Sequence, residues 1–278
     1  MAITLNRATA NTKILSAEYN ENMTDIEDLV NQEATLDGWA DAGEAWAYSS
    51  VDDPTGIITV PPDATTKYST GMRIRFVNAT NTIYGIITAV TATTITFLHE
   101  IDPTDSQALH LMANSAITVP KYSTQKAPFG FPLSPTKWTI ETTATGDESQ
   151  ATPSGNTWYN PGTLIIDIPI GVWNVEYLGC LGAYDAASIT QMIIKSTLST
   201  ANNSESDAGF TAMIRDKAGA IAGKQMEMDV HRSKEITLAT KDTYYLNVDT
   251  VESGVDLIGW NIGTIAGDTI IRAVCAYL

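Results

Sequence analysis

The chain has 278 residues, of which 44% are hydrophobic and 17% charged, a globular balance long enough to build two modules rather than one. Its 32 acidic against 16 basic side chains give a formal net charge of −16, which repels phosphate backbones and sets the protein against nucleic acid. No run approaches the roughly 20 apolar residues of a membrane span, and the opening "MAITLNRATANTK" has no apolar signal core, so a chain made and folded in the cytosol without membrane insertion is expected.

Residues 1–37 predict a helical stalk. From Lys13 to Leu36 there is no Gly or Pro, and Leu15, Tyr19, Ile26, Leu29 and Leu36 recur with Asn22 and Glu33 filling the gaps of a heptad pattern. A second frame through Tyr19, Met23, Ile26 and Val30 fits nearly as well, so the register stays open. Leu15, Ile26 and Leu29 are the candidate anchors of self-association. Two to three heptads are too few to hold together alone, and a downstream module has to supply most of the association energy.

After Gly38 the period changes from helical to alternating. The runs "EAWAYSS", "GIITV", "GMRIRFVNA", "TIYGIITAV" and "TTITFL", separated by turn-rich segments, predict a small antiparallel β-module over 38–120. "ITVP" and "KYST" each occur twice at unequal spacing, which is shared strand and turn vocabulary rather than a repeat. Residues 121–161, rich in Pro, Gly, Ser and Thr, predict a connector carrying one or two strands.

Residues 162–278 hold eight candidate strands with no helix between them, the pattern of a jelly-roll β-sandwich. The fold class expected is therefore mainly β, with an N-terminal helical stalk, a small β-module and a C-terminal jelly roll. The final strand, "DTIIRAVCAYL", is apolar on both parities, with Ile270, Val274, Ala276 and Leu278 on one side and Ile271, Ala273, Cys275 and Tyr277 on the other. Burial on both faces is expected. Cys180 and Cys275 sit in apolar runs and read as buried free thiols rather than a disulfide or a nucleophile.

Three stretches resemble known proteins when taken together. "GWADAGEAWAYSSVDDPTGIITVPPDATTKYSTGMRIRF" with "IYGIITAVTATTITF" resembles a small β-module of tailed-bacteriophage virion proteins, and "APFGFPLSPTKW" looks like the junction that follows it. The last part, "IPIGVWNVEYLG", "STLSTANNSESDAG", "KEITLATKDTYYLNV" and "IIRAVCAYL", is similar to trimeric jelly-roll heads related in shape to C1q and tumour necrosis factor. The resemblance implies a homotrimeric, non-enzymatic fibre or decoration protein of the tail, neck or head, located in the virion and made in the host cytoplasm. It further implies that Tyr277 and Leu278 lie near a three-fold axis and that a host surface glycan is a target. The N-terminal segment has too little apolar surface to form a domain and is expected to order against other virion proteins. The competing class is a lectin-like module or short glycan hydrolase on the same fold.

Motifs for chemistry are sparse. "GAIAGKQ" approaches a phosphate loop but has three residues between its glycines, and Gln225 stands where a Mg²⁺-ligating hydroxyl is required. His99, His110 and His231 fall in no zinc-ligand spacing, and no Gly-x-Ser-x-Gly elbow presents a nucleophile. No metal or cofactor is expected. Asp229 and His231 share a strand face and read as a surface pair, while carboxylate pairs suited to glycoside cleavage remain open because their separation in space decides. Trp173 reads as a core anchor. Trp260, between two glycines, reads either as core or as a sugar-stacking surface residue. The polar loop carrying Asn202, Asn203, Ser204 and Asp207 reads as a solvated loop or a receptor contact.

Overall fold

The computed structural model describes residues 37–189, 191–217, 221–262 and 267–278. The expected stalk and its anchors Leu15, Ile26 and Leu29 lie outside the described residues. Those described are mainly β, in antiparallel sheets, and divide into two compact units: 37–100 with 110–133, and 101–109 with 134–278.

The first unit is one seven-stranded sheet. Its strands are β1 (Ala40–Asp41), β2 (Ala47–Asp52), β3 (Thr55–Thr59), β4 (Arg73–Asn78), β5 (Asn81–Val90), β6 (Thr94–His99) and β7 (Ile117–Ser123), in the order β1-β7-β4-β5-β6-β3-β2. The period-2 placement of Ile, Val and aromatics directs Trp46, Ile58, Ile74, Phe76, Ile87, Ile95 and Phe97 into one core. Edge-to-face ring pairs tie it together, with Trp46–Phe76 at 5.9 Å and Phe76–Phe97 at 5.6 Å. Gly85 interrupts an otherwise β-branched run because a Cβ there would stand 2.6 Å from the Phe97 ring. Trp39, Tyr84 and Phe131 form a second aromatic group capped by the Arg75 guanidinium, 4.9 Å from the Trp39 ring.

The second unit carries β8 (Thr139–Ala144), β9 (Glu148–Ala151), β10 (Ile165–Ile168), β11 (Gly171–Ile189), β12 (Met192–Ser199), β13 (Ala212–Asp216), β14 (Ile221–Leu238), β15 (Asp242–Thr250), β16 (Leu257–Trp260) and β17 (Thr269–Cys275). The small sheet runs β10-β15-β12-β13. In the large sheet β11 is the spine: β14 pairs along one edge, while the other edge takes β17 at Trp173–Leu178 and β16 at Leu181–Tyr184. β8 extends β17 and β9 extends β16. With the short β9–β16 pair set aside, eight strands in chain order form one sheet as first, eighth, third, sixth and the other as second, seventh, fourth, fifth. Residues 121–161 divide between the units, since Lys121–Ser123 complete β7 and β8 and β9 join the large sheet.

The last strand does sit between two neighbours, β8 and β11. It is not buried on both faces. Ile271, Ala273 and Cys275 are fully covered, whereas Ile270, Arg272 and Val274 are half-buried, because the second parity faces outward and carries the polar Arg272. Tyr277 and Leu278 are likewise half-buried. Trp173 is fully buried, and so is Trp260, at 0% exposure. A sugar-stacking role for Trp260 is thereby removed: its strand lies in the sheet between β11 and β9, and the indole is turned inward against Tyr177. Tyr177 in turn reaches across to the small sheet, its hydroxyl 3.0 Å from Ser196 Oγ and donating to the Phe210 carbonyl at 2.8 Å.

Candidate functional site

The strand register of the large sheet arranges its outer face in rows. Thr143, Ile270, Leu178 and His231 lie side by side on β8, β17, β11 and β14; the next row is Glu141, Arg272, Glu176 and Ser233; the next is Thr139, Val274, Asn174 and Glu235. An ionic row is thus set between rows containing aliphatic side chains. Arg272 Nε donates to Glu141 Oε2 at 2.7 Å and Nη1 to Glu176 Oε1 at 3.2 Å, and His231 Nε2 lies 3.1 Å from Glu176 Oε2. The Glu141 hydrogen bond, opposed by partial burial and reinforced by both carboxylate charges, raises the Arg272 pKa further.

Beside this row is a hollow of about 600 Å³ lined by Leu178, Cys180, Ile270, Asp229, His231 and Asp268. Cross-strand pairing brings Cys180 opposite Asp229 and Leu178 opposite His231, so the Asp229–His231 pair read from the sequence stands at the rim of a pocket that has a thiol in it. Burial, with the Glu227 and Asp229 charges adding to it, pushes the Cys180 thiol up, which keeps it protonated near neutral pH. Among the described residues no group of three or more His, Cys, Asp or Glu could hold a metal ion. What the face can do is cover apolar side chains of another surface while offering paired charges to it.

The loop between β12 and β13 is pinned from below. Asn247, fully buried on β15, donates through Nδ2 to the Ala201 and Ser204 carbonyls at 3.0 and 2.8 Å and accepts from the Asn203 amide at 3.3 Å. Asn203 Oδ1 accepts from the Asn160 amide, and Ser206 Oγ from the Thr200 amide. Asn202 and Asn203 remain exposed, and Ser204 is half-buried. Asp207 is taken up by Lys234 and the Gly209 amide; the Lys234 contact, against a smaller opposing effect of burial, lowers its carboxyl pKa. The loop and the hollow lie on different sheets. The Arg272 row had one trace in the sequence, a lone cation in "IIRAVC"; its two glutamates are found only through the register.

No family model and no curated protein matches the chain. Solved structures that do match include the infectious bursal disease virus Gt strain at 12% identity and TM-score 0.29, covering 87% of this chain and 59% of that one. The VP2 subviral particle of infectious bursal disease virus matches at 10% identity and TM-score 0.27, covering 89% and 78%. Dimeric latent PorU from Porphyromonas gingivalis matches at 10% identity and TM-score 0.28, covering 84% of this chain and 24% of that one. The chain thus spans about a quarter of PorU and under two thirds of the first virus chain, and TM-scores this low establish no shared fold.

Proposed function

We propose that the chain is a non-enzymatic structural component of a tailed-phage virion, a homotrimeric fibre or decoration protein that serves attachment to a host surface. The observation that carries this reading is the strand order of the second unit. An eight-strand chain laid out as first, eighth, third, sixth over second, seventh, fourth, fifth is a jelly roll, which accords with the resemblance to trimeric phage heads. The outer face of its large sheet suits self-association, because it sets Ile270, Leu178 and Val274 around an ionic row rather than a fully charged surface. The N-terminal segment, with its heptad positions Leu15, Ile26 and Leu29, is proposed to dock on other virion proteins and to hold the three copies together.

Light scattering on purified protein tests the core of this reading, and the expected mass is about three times the 29.9 kDa chain. A monomer at micromolar concentration overturns it. Release of reducing sugar from host polysaccharide would instead favour a glycan hydrolase on the same fold.

A further inference from the structure

Among the described residues Phe129 is the most exposed large apolar side chain, at 80%, yet its backbone is clamped on both sides. Its amide donates to the Asp37 carbonyl at 2.8 Å, and its carbonyl accepts from Trp39 Nε1 at 2.9 Å. The turn that carries it is closed by the Phe131 amide on the Pro128 carbonyl at 3.0 Å, and Gly130 supplies the φ of 82° that such a turn requires at its third position. Pro128, Phe131 and Trp39 are buried, so the ring is presented to solvent by a fixed frame. A lone exposed apolar side chain needs no explanation by itself, but this one stands where a particular segment enters. Asp37 and Trp39, the partners that clamp it, open the first unit, and residues 1–36 reach the β-module against Phe129.

We infer that Phe129 is the seat of residues 29–36 of its own chain, with Leu36 and Leu29 closing over the ring and fastening the N-terminal segment to the β-module. Leu36 is one peptide from Asp37, whose carbonyl holds Phe129, so the tether gives this occupant a high effective concentration at the ring and gives it to no other. Leu29 comes two turns earlier, roughly 10 Å along the axis of the helix its spacing predicts, and a ring set between the two leucines can touch both. At this end the heptad pattern has Glu33 in place of an apolar residue, so the seam between copies offers Leu36 no apolar neighbour one turn away. The charges agree. Residues 25–37 hold Asp25, Glu27, Asp28, Glu33 and Asp37 and no base, while the surface they meet has Arg75 over the Trp39 ring and exposed Lys126 three residues before Phe129. The contact sets the direction in which the segment leaves the module, and it needs no trimer.

The test uses the full chain labelled with 4-fluorophenylalanine, its Phe129 resonance assigned from Phe129→Leu, and a soluble gadolinium chelate that relaxes exposed fluorines. In the unmodified chain Phe129 is expected to be relaxed no more than the buried Phe76. Leu36→Asp should raise its relaxation by about fivefold or more, as a side chain passing from covered to open does. Unchanged Phe76 and Phe97 resonances show that the module of that variant is folded. Leu15→Asp, in the distant part of the segment, should leave Phe129 shielded. A Phe129 ring open to the chelate in the unmodified chain, or shielding that survives Leu36→Asp, overturns the inference. Shielding lost on dilution or in Leu15→Asp overturns it too, because a second copy is then the cover. Light scattering on the same samples reads the trimer separately, so either result can fail while the other stands.

Discussion

The hydroxyls of Tyr177 and Ser196 meet at 3.0 Å between the two sheets of the second unit, with the Phe210 carbonyl as a further acceptor for Tyr177. Tyr177→Phe leaves these groups without their partner in a dry interior, and a loss of about 1–3 kcal/mol is expected in urea unfolding. Burial is the main cause that pushes the Tyr177 pKa up to about 12. Since the folded value exceeds the unfolded one, the contribution is complete below pH ~10 and is lost as pH rises towards 12, by about 3 kcal/mol in all. The phenylalanine variant should show that much less alkaline destabilisation.

His99 gives the first unit an acid limit. Burial lowers its pKa to about 4, against a smaller raising effect of the His110 backbone. The unfolded chain takes up the proton from pH ~6.5 downward while the folded one refuses it until about 4, so stability falls across that window by about 3 kcal/mol. Replacing His99 with Gln, which does not titrate, should flatten the pH dependence of unfolding between 6.5 and 4. An unchanged slope would assign the acid sensitivity to other groups.

Cys180 and Cys275 should both resist alkylation in the folded protein. Cys180 is 7% exposed and its thiolate is disfavoured by burial and by two nearby acids; Cys275 is 1% exposed. Iodoacetamide at pH 8 is expected to label both in urea and neither, within the same minutes, in buffer. Rapid labelling of Cys180 in the native state would show the hollow to be more open than its geometry.

Deleting residues 270–278 removes β17, which takes its two neighbours' hydrogen bonds with it and leaves β8 with no strand beside it. The cost is expected to exceed the ~5–15 kcal/mol a domain has in hand, and the product to be insoluble. A soluble, folded truncation would show that the sandwich closes without its eighth strand.

Much of the fold was readable from period alone. The alternation in "GMRIRFVNA" and "TIYGIITAV" marked β4 and β5, and the run "GVWNVEY" buried Trp173 as expected. Where the reading failed, the missing information was non-local. The last strand is apolar by composition on both parities, yet only its neighbours decide that Ile270 and Val274 face out beside Arg272. Trp260 between glycines read either as core or as surface, and only the pairing of its strand with β11 and β9 shows it facing inward. The candidate face was the least legible part, since Glu141, Glu176 and Arg272 are far apart in the chain and become a row only when β8, β11 and β17 align.

The bracing of the β12–β13 loop by Asn247 separates two jobs that a loop usually mixes. The backbone is fixed from beneath by a buried amide on a strand, so the exposed side chain of Asn202 is not needed to hold its shape. Substitution there changes what the loop presents without changing how it is presented, and little ordering entropy is left to lose when something binds. Such a position can be rewritten to meet a different surface at almost no expense to folding, whereas an exchange at Asn247 would strip the Ala201, Asn203 and Ser204 backbone of its buried partner.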